Sequence, residues 1–385
     1  MKISHICLSN FYIDNFSYQE NLLSRQNKLD GNDVQIIAST ETYGANQKLD
    51  YVSSGKYINE DGVPVIRLDY KKFLPHFIMK KLRIHNGVFG LLQEFQPDVI
   101  VFHGLCGWEL LTVVDYKKKN PKVKIYADSH EDANNSARNL ISRVILHRIY
   151  YRSIVRRALP YIDKILFISM ETKEFIKKTY GIPESAMEFF PLGGIVYDDE
   201  NYMKKRSKIR ENLGLTDNDI MIIQAGKMGK KKKVIESIQA FQEYERNGLQ
   251  LFLIGSFDEE IEDDVRALLQ KSSNIFYAGW KESSELMDYL CAADVYLQPG
   301  SQSAIMQNAL CLRCPVILDD VPSHQPFVHG NGWVINDVRS ISDVLNDILR
   351  NPAQLEYMST QSLAIARKML DYKKLAARLY VSHNR

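Results

Sequence analysis

The sequence predicts an α/β protein built from two doubly wound parallel-sheet domains, and three observations carry that expectation. Short apolar runs alternate with longer stretches of helical periodicity, the sequence form of βαβ units. These runs fall into two series of similar size. Between the series, near residue 200, lies a break formed by Pro191-Leu192-Gly193-Gly194 and the charged stretch Asp198–Lys208. A length of 385 residues agrees, because domains run to about 150 residues each.

Taken in order, Ile3–Leu8 reads as the first strand, Tyr18–Asp30 as the first helix and Val34–Ala38 as the second strand. Val63–Leu68, Val99–Phe102, Lys124–Ala127 and Ile165–Ile168 continue the first series. The second series runs through Ile220–Gln224, Leu251–Ile254, Ile275–Tyr277, Val295–Gln298 and Val316–Leu318, with helices expected at Val234–Arg246 and Ile305–Leu312. The expected domains are therefore 1–199 and 200–369. A final helix at about 370–385 is expected to return to the first domain.

Composition removes several function classes. A formal net charge of +2 lacks the basic excess of a general nucleic-acid binder, so no nucleic-acid partner is expected. Five cysteines build no disulfide framework in a chain of this length and suit a reducing compartment. Cys311 and Cys314 are spaced C-x-x-C, but Pro315-Val316-Ile317-Leu318 follows as a buried strand, a setting that argues against redox or zinc chemistry. The N-terminal residues are too few and too polar for a signal peptide, and no apolar run reaches membrane-spanning length. The expected location is cytoplasmic, either free or resting on the inner face of a membrane. No G-x-G-x-x-G opens the first domain, which sets dehydrogenases aside.

Several segments, taken in their order, carry a resemblance. They are Ser17-Tyr18-Gln19-Glu20-Asn21-Leu22-Leu23, Asp30-Gly31-Asn32-Asp33-Val34, Ile168-Ser169, Tyr180-Gly181-Ile182-Pro183 and Pro191-Leu192-Gly193-Gly194. Ala225-Gly226-Lys227-Met228, with Lys232 behind it, and Ala293-Asp294-Val295-Tyr296-Leu297-Gln298-Pro299 complete the set. This order resembles the GT-B glycosyltransferases, specifically GT4-like retaining enzymes of bacterial surface polysaccharide assembly, over nearly the whole chain. The resemblance implies two Rossmann-like domains facing across a cleft, a nucleoside-diphosphate sugar as donor, a glycan or lipid-linked acceptor, and no resident metal or other cofactor. One departure stands out. The family carries two glutamates eight positions apart, whose places fall here on Gly300 and Asn308, and Pro299–Pro315 contains no carboxylate. A nucleotide-sugar epimerase or hydrolase, or a catalytically silent subunit partnering another glycosyltransferase, therefore remain as alternatives.

Ligands of doubly wound sheets gather at the carboxyl ends of strands. Gly226-Lys227-Met228-Gly229-Lys230-Lys231-Lys232-Lys233 lies at such an end and precedes a helix. Glycines allow close backbone approach and lysines supply charge, which is what a diphosphate requires; a solvated basic loop is the plain alternative. The resemblance selects Lys227 and Lys232 as the catalytic cations, with Gly226 beside them. Pro299-Gly300-Ser301-Gln302-Ser303-Ala304 opens another helix, where Ser301 or Ser303 either caps it or leaves its free N–H groups to a ligand. Gly300, Ser301, Gln302, Ser303 and Asn308 are donor candidates.

Asp128-Ser129-His130-Glu131-Asp132 ends a first-domain strand, and the resemblance points to His130 as the residue facing the transferred sugar. Glu131 or Asp132 offers a base for the acceptor hydroxyl. His103 is the rival histidine. Phe16 and Ser17 follow the first strand, and Trp280 and Lys281 stand where the family contacts the nucleobase; Trp280 either stacks on the base or packs inside. Two basic amphipathic stretches, 71–83 and 138–157, suit either peripheral contact with an anionic membrane or ordinary packing on the core.

Overall fold

A computed structural model describes residues 1–44, 48–131, 142–244, 248–300, 303–337 and 339–381. The chain divides into two compact units, Met1–Pro191 together with Tyr372–Arg385, and Leu192–Asp371. The junctions thus differ from the expected 199/200 and 369/370. The charged stretch at Asp198–Lys208 is no linker but the start of a helix, Asp199–Asn212, capped by the Asp198 side chain, which accepts from Asn201 N at 2.8 Å. Arg206 and Arg210 on this helix hold Asp294 at 2.5 and 2.9 Å, which fixes the helix in the second unit.

In the first unit the strands are β1 (Lys2–Cys7), β2 (Asp33–Ser39), β3 (Glu41–Tyr43), β4 (Leu49–Tyr51), β5 (Gly55–Ile58), β6 (Pro64–Leu68), β7 (Val99–Phe102), β8 (Lys124–Ser129), β9 (Lys164–Phe167) and β10 (Met187–Phe189). Eight of them form one sheet in the order β10-β9-β8-β7-β1-β2-β6-β5, with only β5 antiparallel; β3 and β4 make a separate antiparallel ribbon. The central strands are buried on both faces, so their sequences read as continuous apolar runs. Strands β3, β4 and β5 escape the sequence reading because they are short, and β4 and β5 are wholly exposed, so nothing selects apolar residues in them. The C-terminal helix Tyr372–Arg378 packs Tyr372, Leu375 and Ala376 against Ile3, Leu23, Val101 and Leu166 of this unit.

Arg67 is the one charged side chain among the largest wholly buried ones of the unit. It donates to the carbonyls of Tyr12 (2.8 Å) and Ser39 (2.9 Å) and to Asp14 Oδ2 (2.9 Å), and its guanidinium lies over the Tyr12 ring. Arg67→Met leaves those buried carbonyls unanswered. The expected loss is about 2–6 kcal/mol of stability, read by urea unfolding, since each of the two orphaned buried carbonyls costs about 1–3 kcal/mol.

The second unit carries β11 (Ile220–Met228), β12 (Leu249–Phe257), β13 (Ile275–Gly279), β14 (Val295–Gln298), β15 (Val316–Asp319) and β16 (Gly332–Ile335) in one all-parallel sheet of order β13-β12-β11-β14-β15-β16. Its core joins Ile222, Leu251, Leu253, Val295, Leu297 and Ile317 to helix residues such as Ile238, Phe241, Val265 and Leu345. Strand order reverses between β1 and β7 in the first unit and between β11 and β14 in the second. At such switch points the loops at the carboxyl ends diverge and open a crevice for ligands.

Candidate functional site

At the second unit's switch point stand the loops after β11 and β14. The former begins later than the sequence suggests, because the strand continues through Gly226, Lys227 and Met228. Gly226 has a left-handed φ of +111°, and a Cβ there would lie 3.1 Å from Ile305 Cδ1. Lys230–Lys232 then make one tight turn before helix Val234–Gln242. Gly300 lies directly on that turn, since a Cβ at Gly300 would sit 2.3 Å from the Lys231 carbonyl oxygen. Only glycine allows this approach.

The lysines of the run fare differently. Lys227, with 77% of its side chain exposed, pairs loosely with Asp258 at 3.7 Å. Lys230 pairs with Glu260 at 3.1 Å, and Lys233 with Asp319 at 2.6 Å. Lys232 is half-buried and forms no ion pair among the described residues, and desolvation lowers its pKa to about 8. It is a cation held partly out of water without a counter-charge, a state that favours an incoming anion. Asp319, at the end of β15, accepts from Gly300 N at 3.0 Å as well as from Lys233, and so ties the two loops together. Its other oxygen, Oδ1, and Gln224 Oε1 are buried without a hydrogen-bond partner among the described residues.

The remaining second-unit candidates separate clearly. Ser303 is the N-cap of helix Ala304–Cys311: it accepts from Met306 N at 3.2 Å and donates to Gln298 Oε1 at 3.1 Å, so the capping alternative holds for it. Asn308 is half-buried in that helix, where a Cβ on Gly194 would meet its Oδ1 at 2.6 Å. Ser301 and Gln302 lie outside the described residues. Trp280 is 59% exposed, so it does not pack inside the unit. Lys281 is committed to Glu285 at 2.7 Å. Cys311 and Cys314 are buried free thiols whose pKa values burial pushes well up, which removes the C-x-x-C from redox chemistry as it stands.

At the first unit's switch point a buried polar chain crosses from β1 to β8. Asn27 presents Oδ1 to His5 Nε2 at 2.9 Å, so that nitrogen carries its proton. His5 Nδ1 then accepts, and His103 Nε2 donates to it at 3.0 Å, while His103 Nδ1 donates to Asp128 Oδ2 at 2.5 Å. Gly104 N donates to Asp128 Oδ1 at 2.7 Å. His103 is thus an imidazolium paired with a carboxylate. Burial lowers the His5 pKa to about 3, with the His103 charge adding to it. For His103 burial also lowers, but the Asp128 charge outweighs it and the net direction is up; Asp128 in turn is held below the usual carboxylate range by His103 against its own burial. This corrects the expectation for His103, which is wholly buried with both ring nitrogens engaged and presents nothing to a ligand.

His130 remains half-buried just past β8, with Nε2 3.8 Å from Asp128 Oδ1. Asp132 lies outside the described residues. Phe16 and Ser17 are exposed after β1, and Phe16 packs against Tyr18 and Tyr43 with ring centroids 5.2 and 6.3 Å apart. Among the described residues one group has the composition of a metal site, Cys106, Glu131 and His147. Its members already meet on one hydroxyl: Tyr180 donates to Glu131 Oε2 at 2.7 Å and lies 2.9 Å from both Cys106 Sγ and His147 Nδ1.

Of the two basic stretches, 71–83 turns Phe73, Leu74 and Phe77 to solvent and buries Met79. In 138–157 the first residues, 138–141, are not described; a π-helical run Ser142–Tyr151 follows, with Val144, Ile145 and Ile149 exposed and Tyr151, Ile154 and Val155 buried. Apolar side chains on both stretches therefore face outward as well as inward. No helix among the described residues is long and apolar enough to cross a membrane.

The sequence reading held Lys233 only as one of the lysine run and missed Asp319, His5 and Asn27. A signal existed for two of them. Asp319 is the first acid after a carboxylate-free stretch, and His5 interrupts an apolar strand.

Residues 205–363 match the family "Glycosyl transferases group 1". A Bacillus subtilis (strain 168) glycosyltransferase whose name places it in teichuronic acid biosynthesis is 24% identical over 169 residues, 43% of this chain and 41% of that protein. The alpha-galactosylglucosyldiacylglycerol synthase of Streptococcus pneumoniae is 21% identical over 171 residues, 42% of this chain and 45% of that protein. The chain thus spans less than half the length of these curated relatives. Among solved structures, Anabaena Alr3699/HepE in complex with UDP superposes with a TM-score of 0.67 at 13% identity, covering 100% of both chains. Sucrose-phosphate synthase from Thermosynechococcus elongatus gives 0.67 at 14%, covering 100% of this chain and 98% of that one.

Proposed function

We propose, for a chain that has the GT-B fold and carries a group 1 glycosyl transferase domain over residues 205–363, that it transfers a sugar from a nucleoside-diphosphate donor to a glycan or lipid-linked acceptor in polysaccharide assembly, with retention at the anomeric carbon. The observation that carries the proposal is Lys232, a half-buried ammonium without a carboxylate partner among the described residues, at the switch point of the second sheet. The acceptor hydroxyl oxygen bonds to the anomeric carbon as the sugar–phosphate bond breaks; the bonding pair leaves with the diphosphate, and the hydroxyl proton passes to the departing phosphate oxygen. Charge therefore grows on the diphosphate in the transition state, where the Lys232 ammonium stabilises it. Fixed cations of this kind can meet that charge without a metal. The superposable Anabaena protein is in complex with UDP, which supports a nucleotide ligand for this fold.

In this assignment Lys227 supplies long-range attraction, Gly226 and Gly300 give close backbone approach, and Trp280 stacks on the base. His130 and Glu131, at the carboxyl edge of the first sheet, serve the acceptor. Outward-facing Phe73, Phe77, Ile145 and Ile149, with the lysines and arginines around them, rest on the inner face of a membrane.

The test is a thermal-shift panel of UDP, GDP, ADP and CMP with their sugars, followed by donor hydrolysis and transfer by the purified full chain. One nucleoside diphosphate is expected to stabilise the protein. Turnover by this chain alone sets aside a silent partner subunit. Trp280→Ala is expected to weaken that nucleotide about tenfold, because base stacking on an aromatic contributes about 1–3 kcal/mol, while the unliganded melting temperature stays put. No shift with any nucleotide overturns the proposal.

A further inference from the structure

Away from both switch points, a cavity of about 470 Å³ opens beside the β3–β4 ribbon and the end of β6. Tyr51, Tyr70 and His76 form its aromatic walls: His76 Nε2 lies 3.0 Å from the Tyr51 hydroxyl, and the His76 ring meets Tyr51 and Tyr70 edge-on at 5.2 and 5.6 Å. The acid behind the wall, Glu41, accepts from the Tyr70 hydroxyl on Oε2 at 2.9 Å, and its buried Oε1 forms an ion pair with Lys80 at 3.3 Å. Asp69 accepts from Ser54 Oγ at 2.8 Å. Lys71 and Lys72 also line the cavity, and neither forms an ion pair among the described residues.

Aromatic walls with ammonium groups at the mouth recognise a sugar or other polar body that carries negative charge. Immediately beside the lysines, Phe73, Leu74 and Phe77 are 61, 41 and 66% exposed. Three large apolar side chains in five residues seldom stand in water without a use. One chemical class satisfies the lysines and the apolar ledge together.

We propose that this cavity is a second anion site, which holds the phosphate of the acceptor, and that the ledge takes the hydrocarbon chain attached to that phosphate. The proposal rests on the acceptor class inferred above. Its geometry is independent of the donor loops.

Isothermal titration of the full chain in a Lys232→Ala background, with the donor cation removed, tests it. The probes are farnesyl diphosphate, inorganic pyrophosphate and glucose 1-phosphate. Saturable binding of farnesyl diphosphate is expected, at least tenfold weaker after Lys71→Ala with Lys72→Ala, and with an unchanged melting temperature. Phe77→Ser is expected to weaken farnesyl diphosphate and leave pyrophosphate alone. If glucose 1-phosphate binds as tightly as farnesyl diphosphate and Phe77→Ser alters neither, the phosphate subsite stands and its ligand is a soluble sugar phosphate. Absence of saturable binding by all three probes, or affinities indifferent to the two lysines, overturns the proposal. The nucleoside-diphosphate shift of the unsubstituted chain reports on the donor assignment separately, so the two failures are distinguishable.

Discussion

Lys232→Ala lowers kcat/KM for the donor by about 10²–10³-fold and removes most of the thermal stabilisation by the nucleoside diphosphate; removal of one preorganised charge-stabilising donor has an effect of that size in other enzymes. Lys227→Ala is expected to change the same quantities far less, because its charge is solvent-screened and already answered by Asp258. The contrast is the sharper measurement, since a merely basic surface would weight the two lysines alike. Protonation adds a second signature. Desolvation lowers the Lys232 pKa to about 8, so diphosphate affinity falls as pH rises above that value. The same shift acts on the empty protein with the opposite consequence. An unfolded lysine stays protonated up to 10.5, so the folded state carries the burden of a desolvated charge below about pH 8 and is relieved of it as pH rises towards 10.5. Lys232→Met should therefore raise the melting temperature of the unliganded protein at neutral pH by a few degrees while it removes most of the nucleotide's stabilisation. A parent and variant equally stabilised by nucleotide would place the donor on another loop. A lower melting temperature for Lys232→Met would reveal a partner for the ammonium.

The strand-end loop that carries this lysine was legible in the sequence for a reason the rest of the site does not share, whereas the lysine itself was selected by the resemblance. Position along the chain, after an apolar run and before a helix, marks the end of a strand, and the strand order of a doubly wound sheet then converts that mark into a place. The central strands β1, β2, β7, β8, β11 and β14 could be read because burial on both faces demands uninterrupted apolar residues. Exposed β4 and β5 answer to no such demand. That Lys230 and Lys233 carry counter-charges, and that Lys232 is half-buried where Lys231, likewise unpaired among the described residues, is exposed, depended on Glu260, Asp319 and packing that only the fold brings to the run. The two-unit division was legible in the same way, but Asp198–Lys208 misled, because a helix that is mostly solvated on one face and held by Arg206 and Arg210 looks like a linker until Asp294 is beside it. His103 misled for the converse reason: its place at a strand's carboxyl end is right, and its burial comes from His5 and Asp128, which are distant in sequence.

Asp128→Asn is expected to be among the most destabilising single changes in the first unit, by about 3–5 kcal/mol in urea unfolding, because it strips the counter-charge from a buried imidazolium. The amide cannot reproduce the carboxylate's pattern. Asp128 accepts on one oxygen from His103 Nδ1 and on the other from Gly104 N, so whichever way an asparagine turns, its NH₂ confronts another donor. His103 must then either give up its Nδ1 proton and accept from the NH₂ there, so that the ion pair is lost while Nε2–H still donates to His5, or stay charged and unpaired. The pH dependence separates these contributions. The carboxylate's share, with a folded pKa below 3.8, is present above that value and is lost as pH falls. The share of His103, whose folded pKa is raised above 6.5, is full below 6.5 and is lost as pH rises through the raised value. The gap between parent and Asp128→Asn is therefore widest between pH 3.8 and 6.5 and closes on either side. His5 runs the other way, because its pKa is driven down to about 3 and protonation of the unfolded chain below 6.5 works against the fold; the burial that dominates this shift is common to both proteins and tilts the two curves together. His103→Gln offers the matching measurement, since a neutral donor at Asp128 flattens the alkaline limb of the gap and leaves the acidic limb in place. A gap that is constant from pH 4 to pH 9 would mean that His103 is neutral and that Asn27 presents its NH₂ to His5.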